Sequence, residues 1–214
     1  MSNPWLDIPL ADYEGHMSAE EVGQLAVLAE LFKCALGHCR PKSVAVLGIA
    51  GGNGLEQIDQ SVTSRIVGVD INEYYLDAVQ QRFGELDGLE LHRRDLTQPV
   101  CSIAPVAMVH AALIFEHVGL GAALENALAL VLPGGNLSIV LQLPSVAQQG
   151  VASTRYISMQ TLKSDFTLID KDELQRLLRL KGFQLIKQEH RSLPAAKALW
   201  LGVFAGTSCP HAGH

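Results

Sequence analysis

Val44-Ala45-Val46-Leu47-Gly48-Ile49-Ala50-Gly51-Gly52-Asn53-Gly54 is the stretch that decides the fold, read together with Val67-Gly68-Val69-Asp70, whose carboxylate stands sixteen positions after Gly54. The apolar run Val44 to Leu47 predicts a buried strand, the glycines a tight turn, and the second run another strand ending in an acid. Gly51, Gly52 and Gly54 carry no side chains to keep a ligand off the backbone, and an acid at the carboxyl end of the next strand can accept both hydroxyls of a ribose. That is how an open α/β sheet holds a nucleoside. The same features also serve without ligands: glycine turns end strands, and strand-end aspartates cap helices.

Outward from this unit, strands and helices alternate. Arg65 to Val69, Leu89 to His92, Val106 to Ala112 and Leu137 to Leu143 read as strands. Gly54 to Val62, Asn72 to Phe83 with Asn72 as its cap, and Gly121 to Leu132, ended by Pro133-Gly134-Gly135, read as helices. Near-continuous apolar runs such as Leu137-Ser138-Ile139-Val140-Leu141 predict a parallel sheet covered on both faces. Asp170-Lys171-Asp172-Glu173 is a capping box opening a helix with Leu174, Leu177, Leu178 and Leu180, which stops at Gly182. The strand-like runs Phe183 to Leu193 and Ala198 to Ala205 are joined only by Pro194-Ala195-Ala196-Lys197. Such a linker is too short for a helical crossover, so this last pair must be antiparallel.

Toward the amino terminus, Ser18-Ala19-Glu20-Glu21 has capping-box form, and Val22, Leu25, Ala29, Phe32 and Leu36 recur at helical spacing up to Gly37. Trp5 to Met17, next to Pro4 and broken by Pro9 and Gly15, reads as no core element, yet it holds Trp5, Tyr13, His16 and Met17. The organisation expected is an amino-terminal segment and helix over 1–41 capping the site, an α/β domain over 42–206, and a tail over 207–214.

At 214 residues and 48% hydrophobic, the chain suffices for one well-filled domain. Its net charge of −6 disfavours a polyanionic partner, since Arg93-Arg94, Arg40 and Lys42 make only a small basic cluster. Nucleic acid is therefore not the expected ligand. Cys34, Cys39, Cys101 and Cys209 follow no paired spacing and no charged-then-apolar leader opens the chain, which fits a reducing cytoplasm. No apolar run approaches the roughly 20 residues that cross a bilayer, so no membrane partner is expected. Cys209-Pro210-His211-Ala212-Gly213-His214 reads as a frayed tail in preference to a soft-metal site, and no metal is expected.

The order of these elements, with the residues at their ends, resembles the class I S-adenosylmethionine-dependent methyltransferases. Val46 to Gly54 looks like that family's first motif, usually V-L-D-L-G-C-G-T-G, and Val67-Gly68-Val69-Asp70-Ile71 like its second. Arg94-Asp95-Leu96 resembles the motif ending the third strand, and Leu132-Pro133-Gly134-Gly135-Asn136-Leu137 the turn before the fifth. Ala111-Ala112-Leu113-Ile114-Phe115-Glu116-His117-Val118 resembles the segment after strand four of small-molecule members. The likeness spans about Ser43 to Leu143 and Asp170 to Ala205. It departs at Gly48, where the family has an acid, at Ala50, where it has a glycine, and at Ala107, where it has an aspartate. With no side chain at position 48, the methionine ammonium would need another acceptor.

The resemblance implies a doubly wound α/β fold with a mostly parallel seven-stranded sheet of order 3-2-1-4-5-7-6, an antiparallel last strand and an amino-terminal helical extension. It implies S-adenosylmethionine as cofactor, bound by Gly48, Ala50, Gly51, Gly52, Gly54, Asp70, Ile71, Asp95, Leu96 and Ala111. Methyl transfer from a sulfonium is an in-line displacement, so orientation and desolvation suffice, and a base helps only where the acceptor must lose a proton. Candidates on the acceptor side are His16 and Tyr13 before the first helix and His117 after strand four, with Glu116, Gln142 and Tyr156 as substrate contacts. His110, inside strand four, reads as a buried structural histidine. The connection 146–169, with Arg155, Tyr156 and Met159, is longer than a plain turn and could line an acceptor pocket. A small-molecule acceptor is the expected partner, and a homodimer is compatible with the chain. Two rival readings stand beside this one: a nicotinamide-dependent oxidoreductase, although Gln57 occupies the place of its third glycine, and a non-catalytic binding protein that keeps the fold.

Overall fold

Residues 3–99, 102–145, 154–164 and 166–207 are described by a computed structural model of the chain. The tail 208–214, the first part of the 146–169 connection, Cys101 and Cys209 lie outside the described residues. The elements are helix α1 (Leu10–Ser18), helix α2 (Gln24–Cys39), strand β1 (Ser43–Leu47), β2 (Arg65–Asp70), α3 (Glu73–Phe83), β3 (Leu89–Arg93), β4 (Val106–Ala112), α4 (Phe115–Val118), α5 (Gly121–Ala129), β5 (Val131–Gln142), α6 (Lys171–Leu180), β6 (Phe183–Ser192) and β7 (Ala198–Gly206). Short 3-10 turns run over Pro4–Leu6, Leu55–Gln57 and Ile157–Ser164.

The strands form one sheet of order β3-β2-β1-β4-β5-β7-β6, parallel from β3 to β5 and antiparallel at β5–β7 and β7–β6. Alternate residues of each strand feed two cores. Ala45, Leu47, Val67, Val109, Ile139 and Trp200 face α5 and α6, while Val44, Ile66, Met108, Val140 and Leu201 face α2 and α3. Asn72 caps α3 by accepting from the Tyr74 amide at 3.0 Å, and Asp170 caps α6 by accepting from the amides of Asp172 and Glu173. Leu174 and Leu178 of α6 are fully buried, whereas Leu180, read as part of that face, is exposed. No helix among the described residues is long and apolar enough to cross a membrane.

Several segments differ from the sequence expectation, each for an identifiable physical reason. The capping box at Ser18 does not form, because Ser18 Oγ donates back to the Glu14 carbonyl at 2.7 Å and closes α1. The chain then turns, with Val22 and Gly23 amides donating to the Ala19 carbonyl, and α2 begins only at Gln24 after Gly23 at φ +61°. The segment Trp5 to Met17 does join the core: it holds α1 and buries Ile8, His16 and Met17. Its anchors are the Ile8 carbonyl, which accepts from Tyr75 Oη at 2.9 Å, and the Trp5 carbonyl, which accepts from Asn72 Nδ2 at 2.8 Å.

The helix expected over Gly54 to Val62 is a single 3-10 turn at Leu55–Gln57. Gly54 adopts φ +93°, Glu56 Oε2 folds back to accept its amide, and Ile58 returns to extended backbone. At the other end of the sheet, α5 stops at Ala129 and β5 begins at Val131, so Pro133-Gly134-Gly135 sits within the strand as an irregularity, with Pro133 and Gly134 exposed and Gly135 buried, where β4 and β5 slip register between Val106 and Met108.

Candidate active site

Parallel strands aim their carboxyl ends in one direction, and the loops leaving β1, β2, β4 and β5 meet there. The pocket at this end is lined by Gly48 and Ala50 after β1, Asp70 and Ile71 after β2, and Asp95 and Leu96 after β3. Leu113, Ile114 and His117 line it after β4, and Gln142 ends β5. Trp5, Tyr13, His16 and Met17 form its roof.

Asp70 is the polar centre of the floor. It is buried, with Oδ2 accepting from the Ala50 amide at 2.9 Å and Oδ1 from the Asn72 amide at 2.9 Å. Burial pushes its carboxyl above the usual range, while the backbone donors at Asn72 and Ala50 pull the other way and favour the anion. Asp95 is half-buried, its Oδ1 taken by the Thr97 amide and hydroxyl, and Leu96 beside it is buried. Together with Ile71 they make an apolar slot with a carboxylate at its edge.

The glycine turn divides into two parts. Gly48 has φ +68°, and a Cβ there would stand 2.9 Å from Ile114 Cδ1, so both its backbone and the pocket exclude a side chain. Position 48 therefore cannot hold an acid in this backbone without the Ile114 side chain moving. Ala50 takes φ +46°, a left-handed conformation that costs a non-glycine residue, and holds it while donating to Asp70. Gly51, Gly52 and Gly54 do not line the pocket. Side chains there would run into the Glu14–Arg82 ion pair, Phe83 and Phe32, so these glycines let the turn pack against α1, α3 and α2. Ala111, within β4, is buried in the sheet.

On the acceptor side, Trp5 meets Tyr13 edge-on at 5.9 Å and His117 at 4.9 Å, and His117 meets Phe166 at 5.4 Å. Trp5 Nε1, also in this wall, is a buried donor with no partner among the described residues. Burial, with the Asp70 and Glu14 charges nearby, pushes the Tyr13 phenol up, so at neutral pH it stays protonated, able to donate a hydrogen bond and not to act as a base. His16 is buried, with Nδ1 2.9 Å from Thr154 Oγ1, and burial and the nearby Lys197 charge lower its pKa. It is thus neutral at pH 7 and competent to accept a proton. Glu116 lies outside the pocket, buried behind β5, where its Oε1 accepts from the Gln142 amide at 2.9 Å. Tyr156 lies outside as well, packed with Trp5 and Tyr13 against the Ile8, Met159 and Leu162 cluster. His110 stacks on Phe32 at 4.5 Å with Nδ1 2.9 Å from Ser138 Oγ, and burial drops its pKa to about 3.

Gln24 and Lys197 are among the pocket residues that escaped the sequence reading. Gln24 opens α2 and donates from Nε2 to Gln142 Oε1 at 3.2 Å; Lys197, in the β6–β7 turn, is only 5% exposed. A signal for Lys197 was present, since an antiparallel β7 must start beside the end of β5 and so bring its turn to the site.

No family model matches the chain, and no curated protein matches it in sequence. Solved structures do match in shape. The N-methyltransferase NodS from Bradyrhizobium japonicum WM9, in complex with S-adenosyl-L-homocysteine, aligns with TM-score 0.67 at 12% identity over 96% of this chain and 99% of that one. The magnesium protoporphyrin IX methyltransferase ChlM from Synechocystis PCC 6803, with the same ligand bound, aligns with TM-score 0.66 at 12% identity over 87% and 84%. The chain has the class I methyltransferase fold. The cyclase SpnF shares this fold as well, with TM-score 0.66 at 9% identity over 85% of this chain and 81% of that one, so the fold does not by itself fix the reaction.

Proposed function

We propose that this protein is an S-adenosylmethionine-dependent methyltransferase that transfers the methyl group in line to a small-molecule acceptor. The observation that carries the reading is Asp70: a buried carboxylate in a pocket floor, held by two backbone amides between the glycine turn and the end of β2. The residues around it suit the cofactor's parts. Asp70 would accept from the ribose hydroxyls, Ile71 and Leu96 would flank the adenine with Asp95 at its amino edge, and Gly48 leaves backbone open to the methionine portion. When bound, S-adenosylmethionine supplies an electrophilic methyl on a sulfonium.

The protein's own contribution is placement and a dry site. Trp5, Tyr13 and His16 roof the pocket and exclude water. Tyr13 stays protonated and offers a donor, while neutral His16, fixed through Thr154, stands ready to take a proton from a hydroxyl or amine acceptor. One feature weighs against a dinucleotide. Only a three-residue 3-10 turn follows the glycine loop, so the pyrophosphate of NAD would find no helix amino terminus there.

Thermal unfolding with each ligand tests this. S-adenosylhomocysteine should raise the Tm and NADH should not; the reverse pattern would overturn the proposal. A screen of small acceptors with methyl-labelled cofactor then tests turnover. Label in no acceptor, with cofactor binding intact, would leave a binding protein in place of an enzyme.

A further inference from the structure

Gln142 and Trp5 line the pocket, and each carries a buried donor with no partner among the described residues. Gln142 ends β5, where its backbone amide donates to Glu116 Oε1 at 2.9 Å and its side-chain Oε1 accepts from Gln24 Nε2 at 3.2 Å. Those two bonds hold the side-chain amide in place and leave its Nε2 open, in a residue only 3% exposed. Trp5 is held as firmly in the roof: its amide donates to Asn3 Oδ1 at 3.1 Å, and its carbonyl accepts from Asn72 Nδ2 at 2.8 Å. Its ring stands edge-on to Tyr13 and His117, so only the indole Nε1–H is left over.

Both donors belong to the half of the pocket at the ends of β4 and β5. Gln142 bonds through its backbone to Glu116, and Trp5 packs on the next residue, His117, at 4.9 Å, so the short helix α4 links the two. The carboxylates Asp70 and Asp95 follow β2 and β3, on the other side of β1 in the sheet order. Burying a donor without an acceptor is costly, and a ligand oxygen removes that cost. The walls around these donors are rings, Trp5, Tyr13, His117 and Phe166, with His117 meeting Trp5 at 90° and Phe166 at 71°. Rings presented both edge and face suit another flat ring. The open donors are neutral, and the acid Glu116 lies buried behind Gln142. A carboxylate would bring a second buried negative charge beside that acid, whereas a neutral carbonyl oxygen brings none.

We propose that the acceptor is an aromatic molecule bearing a neutral carbonyl group, whose oxygen accepts hydrogen bonds from Gln142 Nε2 and Trp5 Nε1. This rests on the methyltransferase reading, since it gives the Asp70 half of the pocket to the cofactor. A carbonyl oxygen has two lone pairs and can take both donors. Gln142 and Trp5 are specificity-determining residues in this account: they select the carbonyl and leave the chemistry to other groups. Where the ring also carries a hydroxyl, its oxygen takes the methyl group as the C–S bond breaks, its proton passes to His16, and the thioether S-adenosylhomocysteine remains.

The test uses the full chain saturated with S-adenosylhomocysteine and reads probe affinity from concentration-dependent thermal shift. The matched pairs are 4-hydroxyacetophenone with 4-ethylphenol and 5-hydroxy-1-indanone with 5-indanol, which differ in the carbonyl alone. At least one ketone should bind tighter than its partner by roughly tenfold or more, and tighter than 4-hydroxybenzoate, whose carboxylate would instead draw on the Lys197 charge lining the same pocket. Trp5→Phe removes Nε1 and keeps a ring, Gln142→Met removes the amide at similar length, and each should cut the preference for that ketone to roughly threefold or less. Trp5→Phe decides alone should Gln142→Met fail to fold. Ketones that bind no better than their partners, no binding by any probe, tighter binding of 4-hydroxybenzoate, or a preference unchanged in either folded variant would each overturn the proposal while leaving the cofactor reading intact. Weakened S-adenosylhomocysteine binding in Gln142→Met would overturn it too, assigning that donor to the cofactor's own carboxylate. A wild-type protein that fails to bind S-adenosylhomocysteine would defeat the methyltransferase reading itself.

Discussion

Replacing Glu116 with Gln should make the protein more stable at alkaline pH and change little in acid. Glu116 is 1% exposed, its Oε1 accepts from the Gln142 amide, and Oε2 has no partner among the described residues. Burial pushes its carboxyl from about 4.5 to about 7, against the pull of the backbone donors. Because the folded state holds this proton more tightly than the unfolded chain, stability is fully present below pH 4.5 and is lost as pH rises to about 7. At about 1.4 kcal/mol for each pH unit of separation, wild type should lose about 3 kcal/mol between pH 4.5 and 8 through this one group. Gln keeps the acceptor for the Gln142 amide and removes the charge. Urea denaturation of both proteins across that range would show the two curves close in acid and diverging above pH 5. A stability difference that does not vary with pH would refute the reasoning, because it would mean that Glu116 does not bury its charge.

Asp70→Ala should weaken S-adenosylhomocysteine binding by about 1–3 kcal/mol, the cost of leaving polar groups unpaired, as read by calorimetry; an unchanged dissociation constant would remove Asp70 from the site. Ala50→Gly should raise stability by about 0.5–1 kcal/mol, since relief of a left-handed alanine outweighs the chain entropy of glycine, and a thermal melt showing a lower Tm would contradict the φ of +46°. His16→Ala should lower turnover more than cofactor affinity, and the wild-type rate should rise with pH through a midpoint below the ordinary histidine value, because the His16 pKa is lowered. Equal loss of turnover and affinity would mean that His16 only closes the roof.

The sheet was legible because its signals are local. Apolar runs such as Leu137 to Leu141 mark strands buried on both faces, and the four-residue link at Pro194 to Lys197 leaves only an antiparallel pairing for the last two strands. The Asn72 and Asp170 caps were legible for the same reason, each oxygen meeting an amide two residues on. The amino-terminal segment was not, because what folds it is distant in sequence: Tyr75 reaches the Ile8 carbonyl, Asn72 the Trp5 carbonyl, and Arg82 pairs with Glu14. No periodicity in Trp5 to Met17 announces those bonds. Ser18 misled for a related reason, since its hydroxyl had two helices to serve and bonds the earlier one.

Within the candidate site, strand-end residues such as Gly48, Asp70 and Leu96 could be placed from the alternation alone, and they do line one pocket. Gly51, Gly52 and Gly54 show the limit of that logic: a motif indicates that glycine is needed but not which neighbour needs it, and here the neighbours are Glu14, Phe83 and Phe32. Glu116 and Gln142 form one hydrogen-bonded unit in which only Gln142 reaches the pocket. Lys197 required combining the hairpin with the sheet order, a step beyond reading either one.

The most direct test of the account is calorimetric titration of the purified chain with S-adenosylhomocysteine, with NADH titrated in parallel. The account predicts saturable one-to-one binding of S-adenosylhomocysteine, weakened in Asp70→Ala, and no heat of binding from NADH. Saturable binding of NADH with none of S-adenosylhomocysteine would contradict it.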